Sequence, residues 1–339
     1  MLTVLVTGAG GYIGTTLVPM LLEAGYSVKA VDRYFFGVHL LKSHENLNLI
    51  KEDSRSLGKE LFDGVDYVID LVAISNDPSG EMFQEHTLSI NRDSRISTAK
   101  KAKSMGVKRY ILPSSCSIYG FHPNDVVVNE QTSTNPLTTY AVANEQAENG
   151  VLELSDDEFT VIVLRQATVF GYSPRMRFDL AINAMTYGAA TQKTIPLMRD
   201  GLQWRPMIHV RDTARAQMYM LEIDKTRVNK QIINVGSQDN VYQLGDLAEI
   251  IKEKVGKDVT IEWYGEVDHR SYRVNFDKLK SLGFKCKYDA EFGVGEILNE
   301  IRANGLINNI KTITLDWYVE LERMHSLVKS VEIDGRMLG

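Results

Sequence analysis

Leu2-Thr-Val-Leu-Val6-Thr-Gly8-Ala-Gly-Gly11-Tyr-Ile-Gly14 sets a short apolar run directly against glycines at three-residue intervals, and a helix-forming stretch, Thr15 to Ala24, follows at once. The spacing predicts a strand, a tight turn and a helix, the order found where a dinucleotide pyrophosphate meets a helix N-terminus. Gly8 and Gly11 allow the turn and a close backbone approach, while Gly14 lets helix and strand pack together. The next apolar run, Ser27 to Val31, ends at Asp32, placed to accept hydrogen bonds from ribose hydroxyls. An acid there repels the extra phosphate of NADP, so the expected cofactor is NAD, with the adjacent Arg33 as a counterweight. Asp53, after the run Asn48 to Lys51, is positioned for the adenine, with a solvated loop acid as the alternative. Tyr12, Ile13, Ser54, Leu71 and Ala73 complete the expected cofactor lining.

Outward from this turn, apolar runs and helical stretches keep alternating: Val65 to Val72, Ser89 to Ser104, Lys108 to Leu112. The runs are rich in Val, Ile and Leu without alternation, as strands buried on both faces are. The expected fold is α/β: a Rossmann-type, doubly wound parallel sheet over residues 1–170, rejoined by about 206–235. In that reading Met207 to Val210 and the helix Thr213 to Ile223 return to the first domain. A smaller mixed α/β domain is expected from 171–205 and 236–332, with 333–339 a loose tail.

Composition narrows the class. The 339 residues are 44% hydrophobic, enough for a large core, and the net charge of −6 argues against a nucleic-acid surface. Two cysteines without CxxC spacing suggest neither a disulfide framework nor a zinc site. No apolar run reaches the roughly 18 residues that span a bilayer, and the first residues lack the pattern of a signal peptide. A cytoplasmic protein without membrane or metal partners is expected.

TGAGGYIG, LVAISNDP, SSCSIYG, Tyr140 at the head of a helix, and RPMIHVRD together resemble the extended short-chain dehydrogenase/reductase family, specifically its nucleotide-sugar epimerases and dehydratases. The resemblance covers nearly the whole chain and implies NAD dependence, a nucleoside diphosphate sugar as substrate, and a homodimer formed through helices near Ser89 to Ser104 and Tyr140 to Leu154. It places Ser115 on the reacting sugar hydroxyl and makes Tyr140 the catalytic tyrosine. Oxidising an alcohol needs a base for the hydroxyl proton while hydride leaves for nicotinamide. Asn91 matches a family asparagine near the cofactor, with a buried structural amide as the alternative.

One position departs from the pattern. The family carries lysine four residues after the tyrosine, and this chain reads Tyr140-Ala-Val-Ala-Asn144, with no lysine between Lys108 and Lys193. Asn144 offers hydrogen bonds to the cofactor and tyrosine but no charge. Tyr140 acting mainly as a proton donor, slow turnover, another base, or a catalytically silent NAD or sugar-nucleotide binder all remain open. If the missing charge limits the rate, Asn144→Lys should raise activity at neutral pH.

The family's dehydratases carry an acidic pair where this chain has Cys116 and Ser117, which leaves 4-epimerisation, 4-dehydrogenation releasing a keto sugar, or reduction of a keto sugar, with the first two the expected C4 chemistry. Cys116 and Ser117 are expected beside the substrate, with a packed, inert thiol as the alternative for Cys116. Arg205 matches the family arginine on the substrate diphosphate, and Arg270 is the candidate for the other side of that clamp. Arg175, Arg177 and Asn183 are expected to line the sugar-nucleotide pocket. His209 is read as a packed residue rather than a metal ligand.

Overall fold

The computed structural model describes residues 1–123, 126–266 and 271–336. The first half runs β1 (Thr3–Thr7), α1 (Gly14–Glu23), β2 (Ser27–Asp32), β3 (Leu47–Lys51), β4 (Tyr67–Asp70), α2 (Asp77–Met82), α3 (Gln84–Leu88), α4 (Arg95–Ser104), β5 (Arg109–Ser115), β6 (Val127–Val128), α5 (Thr139–Leu152) and β7 (Thr160–Gln166). The second half runs β8 (Thr168–Phe170), α6 (Ala181–Gln192), β9 (Thr194–Met198), β10 (Trp204–His209), α7 (Val210–Glu222), α8 (Lys225–Val228), β11 (Gln231–Val235), β12 (Val241–Gln243), α9 (Leu244–Val255), β13 (Thr260–Tyr264), β14 (Arg273–Val274), α10 (Asp277–Ser281), α11 (Ala290–Asn304) and α12 (Thr314–Val331).

Seven parallel strands form the main sheet in the order β11-β7-β5-β4-β1-β2-β3. The chain winds outward from β1 in one direction and from β4 in the other, so the order reverses between these two strands. Ligands of open α/β sheets lie at such a switch point, beyond the carboxyl ends of the strands. The apolar runs explain the burial: β7 is buried at every position, and one core cluster joins α1 and α7 on one face while another joins α4 and α5 on the other. Strand β3, at the edge, keeps Asn48 and Lys51 facing solvent.

Two features differ from the expectation. The continuous run Val161 to Phe170 breaks at Ala167, and β8 leaves the main sheet to join β10 and β12 in a separate three-stranded sheet. Met207 to His209 therefore belongs to that small sheet, and the return to the main layer begins with α7 and ends at β11. A third apolar cluster, around Phe170, Ile182, Leu247 and Val294, packs beneath the small sheet. The second difference is α12, which crosses back to the first half: the Trp317 indole N–H donates to the Phe35 carbonyl at 3.0 Å.

Candidate active site

A cleft of about 1110 Å³ opens at the switch point, lined by the turn after β1, the ends of β2 and β4, the residues after β5, the start of α5, and α12. That volume is large enough for a dinucleotide and a second ligand. Gly8 holds φ at +65°, and a Cβ on it would lie 2.7 Å from the Leu71 carbonyl carbon. A Cβ on Gly14 would meet the carbonyl oxygens of Ala9 and Gly8 at 2.5 Å. Any larger residue at either position would push the turn off β4 or α1. Gly8, Gly11, Tyr12, Ile13, Gly14, Asp32, Arg33, Asp53, Ser54, Leu71 and Ala73, the residues expected along the cofactor, all border the cleft.

Asp32 accepts the Gly10 N–H at 3.0 Å and the Tyr34 N–H at 2.6 Å, one on each carboxylate oxygen. Each oxygen keeps acceptor capacity for a ribose hydroxyl. Burial pushes this carboxyl up, against the pull of those N–H groups. Asp53 is held down at about 2, chiefly by its hydrogen bond to Arg55, and Arg33 pairs with it at 3.2 Å. That pairing ties Arg33 to a neighbouring acid.

Arg175, expected along the sugar-nucleotide pocket, lines the cleft at this cofactor end. Its backbone N–H donates to Thr15 Oγ1 in the first turn of α1 at 3.3 Å, and its guanidinium sits 3.7 Å over the Phe36 ring. Nη2 donates to Thr314 Oγ1, whereas Nε and Nη1 are buried without a protein partner. Burial lowers its proton affinity to about 10, still a full positive charge at neutral pH. Unpartnered donors beside a glycine turn and a helix N-terminus are what an incoming pyrophosphate requires.

At the other end, the Ser115 hydroxyl lies in hydrogen-bonding reach of the Tyr140 phenol, and both line the cleft. Thr138 caps α5 by accepting the Ala141 N–H at 3.2 Å and donates to Asp77 at 2.7 Å, which fixes the start of the helix that carries Tyr140. Gly80 of α2 packs so close that a Cβ there would lie 3.0 Å from that of Tyr140. Burial raises the Tyr140 phenol; Arg95 is the strongest influence in the opposite direction, and Asp77 reinforces the rise. Ser117 borders the cleft with a buried, unpartnered hydroxyl.

Several expected contacts prove to be supports. Asn144 is buried at 1% exposure and does not face the cleft; its Oδ1 accepts from Arg95 at 2.9 Å and its Nδ2 donates to the Tyr140 carbonyl at 2.9 Å. Cys116 turns into the core, where its thiol donates to the Arg165 carbonyl and burial pushes it well up, so it is neither a substrate contact nor an acid/base. Asn183 is fully buried, accepting the Gly171 N–H and donating to Tyr12 Oη and the Arg177 carbonyl. Asn91 clamps both backbone groups of Ile74 at 2.8 and 2.9 Å, shaping the loop after β4 rather than touching the cleft.

Arg177 reaches the cleft, but its guanidinium is engaged by Asp179 at 2.9 Å and Ser75 at 3.1 Å. Asp179 also accepts from Asn76, so the 175–179 arm is laced to the loop after β4. Burial alone would raise Asp179; Arg177 overrides it and holds the carboxyl at about 2. The arm is therefore unaffected by pH throughout the neutral range. Arg205 borders the cleft 5.5 Å over the Tyr272 ring, and Nη1 donates to the Trp204 carbonyl. Arg270 lies outside the described residues. His209 is buried and shares Glu296 with Arg211. Among the described residues no group of His, Cys, Asp or Glu is arranged to hold a metal ion.

Sequence reasoning missed Arg95, Phe36 and Tyr318. The Tyr318 ring stands against Phe35, Phe36 and Phe83, closing the cofactor end from α12.

This fold and site define a dinucleotide-dependent enzyme with a serine–tyrosine pair. The profile of the NAD dependent epimerase/dehydratase family matches residues 4–236, and the chain belongs to that family. NAD is its cofactor, and the glycine turn, Asp32 and Arg175 fit that group. The chain is 26% identical over 332 residues to the UDP-glucuronate 4-epimerase of Thermodesulfobacterium geofontis, covering 91% of this chain and 98% of that protein. It is 27% identical to UDP-glucuronic acid decarboxylase 6 of Arabidopsis thaliana, covering 86% of each. Among solved structures, MoeE5 in complex with UDP-glucuronic acid and NAD superposes with a TM-score of 0.79 at 26% identity, over 90% of this chain and 100% of that one.

Proposed function

We propose that the protein is a UDP-sugar 4-epimerase, oxidising the C4 hydroxyl and returning hydrogen to the opposite face. The observation that carries this is the Ser115–Tyr140 contact in the wall of a cleft sized for cofactor and sugar nucleotide. Bound NAD supplies the acceptor and donor for the hydrogen and two electrons exchanged with the sugar carbon. Tyr140 takes the C4 hydroxyl proton and later returns it, while Ser115 orients that hydroxyl and Ser117 offers a further donor. Arg205 meets the substrate diphosphate. Asp32 holds the adenosine ribose and Arg175 the cofactor pyrophosphate, so the 175–179 arm couples cofactor binding to the shape of the sugar pocket.

Relatives that act at C4 of UDP-sugars, and the neutral Cys116 and Ser117 after Ser115, support C4 chemistry over elimination of water. The test is direct. Acid-denatured protein should release NAD or NADH, and a panel of UDP-, GDP-, dTDP- and CDP-sugars followed by NMR should contain a UDP-sugar converted to its C4 epimer. Accumulation of a keto sugar with stoichiometric NADH would replace this reading with a 4-dehydrogenase, and binding without turnover would make the chain a silent binder.

Asp32→Ala should weaken NAD binding by about 10- to 100-fold, since a hydrogen bond to a charged group is worth about 1.5–3 kcal/mol. Calorimetric titration of stripped protein with NAD checks this, and an unchanged Kd would remove Asp32 from the cofactor site. Two further readings belong with the proposal. The α4 and α5 faces form a homodimer, tested by sedimentation velocity, and the protein works in the cytoplasm, tested by cell fractionation. Among the described residues no helix is long and apolar enough to cross a membrane.

A further inference from the structure

Asn144 raises a problem of charge: a tyrosine that must lose a proton stands in a buried wall with no cation on its own helix face. Four residues separate Tyr140 from Asn144, so one turn of α5 puts both on the same side. The group that meets them comes from elsewhere. A wider, π-helical turn at Ser89–Ser94 precedes α4, and both Asn91 within it and Arg95 after it point inward. Such turns re-aim side chains and recur at functional sites.

Arg95 is 2% exposed. Nη1 donates to Asn144 Oδ1 at 2.9 Å, and Nη2 donates to the carbonyls of Pro113 at 2.8 Å and Asp70 at 3.1 Å. Nε has no partner, and among the described residues no carboxylate lies within ion-pair distance of the guanidinium. A buried cation without a directly bonded counter-ion is costly, and a carbonyl cage only partly offsets it; the buried Asp70 carboxylate nearby accepts from Thr7 and Tyr110 rather than from the guanidinium. Its field is then free to act on whatever acquires negative charge nearby, and low dielectric strengthens that action.

We propose that Arg95, seated by Asn144, is a positioning residue that supplies the fixed positive charge Tyr140 needs in order to give up and recover its proton. The inference rests on Tyr140 being the acid/base of the proposed reaction. Asn144 is the adapter: its carbonyl takes the guanidinium and its amide holds the Tyr140 carbonyl, so one side chain joins cation to tyrosine. The other groups facing the phenol are Asp77 from α2, Ser115 after β5 and Arg177 from the arm; Glu81 of α2 is occupied at the Thr139 N–H. Asp77 opposes ionisation and Arg177 is neutralised by Asp179, so the remaining cation acting on the phenol is Arg95, whose buried neighbour Asp70 spends its carboxylate on the Thr7 and Tyr110 hydroxyls. Asn144→Lys in the native background sets a second cation against Arg95 and destabilises the protein instead of activating it.

The experiment compares the holoenzyme with Arg95→Met, Arg95→Gln and Arg95→Lys. The readouts are the pH profile of kcat and the ultraviolet tyrosinate titration of each protein minus its Tyr140→Phe counterpart. Removing an opposite charge that acts on a buried acid shifts its ionisation by about one to three pH units. Arg95→Met and Arg95→Gln should therefore move the Tyr140 titration and the rising limb of kcat to higher pH, with kcat at neutral pH down about tenfold per unit shifted. Arg95→Lys, which keeps the cation, should bring both back toward the native position. If Arg95→Met does not fold, Arg95→Gln, which keeps hydrogen-bonding atoms, decides. A folded Arg95→Gln whose Tyr140 titrates with the native protein overturns the proposal and leaves Arg95 a staple between β4, β5 and α5. The titration needs no substrate, so failure of the sugar panel would overturn the epimerase reading without deciding this one.

Discussion

Tyr140→Phe should lower kcat by about 100- to 10,000-fold, the range a positioned proton-transfer group contributes, while NAD content and UDP-sugar affinity stay close to native. The separation follows from the geometry. The Tyr140 Cβ and backbone pack against Gly80, and the helix start is fixed by Thr138 and Asp77, none of which uses the phenolic oxygen. Phenylalanine keeps the ring and the wall and removes only the atom that reaches Ser115. Stopped-flow absorbance at the nicotinamide band, with calorimetric Kd values for cofactor and sugar nucleotide, measures both halves. A kcat within a few-fold of native would transfer the proton chemistry to another group, and loss of NAD content would mean that the phenol is structural. The pH profile adds a second check. Burial raises this phenol above its ordinary value, so native kcat should climb toward alkaline pH, and the residual Tyr140→Phe rate should not follow that climb.

The parts of the site that sequence reveals are those whose chemistry is local in the chain. Gly8, Gly11 and Gly14 lie within one turn, and Asp32 ends the next strand, so spacing alone carries their geometry. Ser115 and Tyr140 are legible through the family resemblance, which SSCSIYG and a tyrosine at the head of a helix carry. The buried polar residues are different. Asn91, Asn183 and Cys116 stand beside motif residues, but whether a side chain turns toward the cleft or the core depends on packing from distant segments. Asn183 answers to Tyr12, 171 residues away, and Asn144 to Arg95, 49 residues away on another helix. No local pattern announces such pairs, although an arginine among the small residues of Ser94-Arg95-Ile-Ser-Thr98-Ala99 was an available signal, since its helical neighbours Thr98 and Ala99 are buried. The same holds for α12. Its lodging against Phe35 follows from a contact spanning 282 residues.

Glu148→Ala should destabilise the protein by about 3–5 kcal/mol, because it strands a buried arginine. Glu148 and Arg165 are almost wholly buried and paired at 2.8 Å; Ser114 donates to the same carboxylate, and Arg165 also donates to Tyr119 Oη at 3.1 Å. With the carboxylate gone, the guanidinium keeps its charge inside the core and loses its counter-ion. Urea denaturation of the holoenzyme should show a lower midpoint at an unchanged slope, the signature of lost stability rather than of a changed unfolded state. Glu148→Leu combined with Arg165→Met should recover most of the loss, since replacing both partners with apolar groups removes the stranded charge. A double variant no more stable than Glu148→Ala would assign the pair a net stabilising role of its own. The position of the pair gives this result a catalytic meaning. Glu148 lies two turns of α5 beyond Tyr140, roughly 12 Å along the axis, and Ser114 adjoins Ser115. Glu148 thus ties the helix bearing the base to β7 through Arg165 and, through Ser114, to β5, the strand bearing Ser115, and any rise in kcat/KM of the double variant above that of Glu148→Ala should track recovered stability.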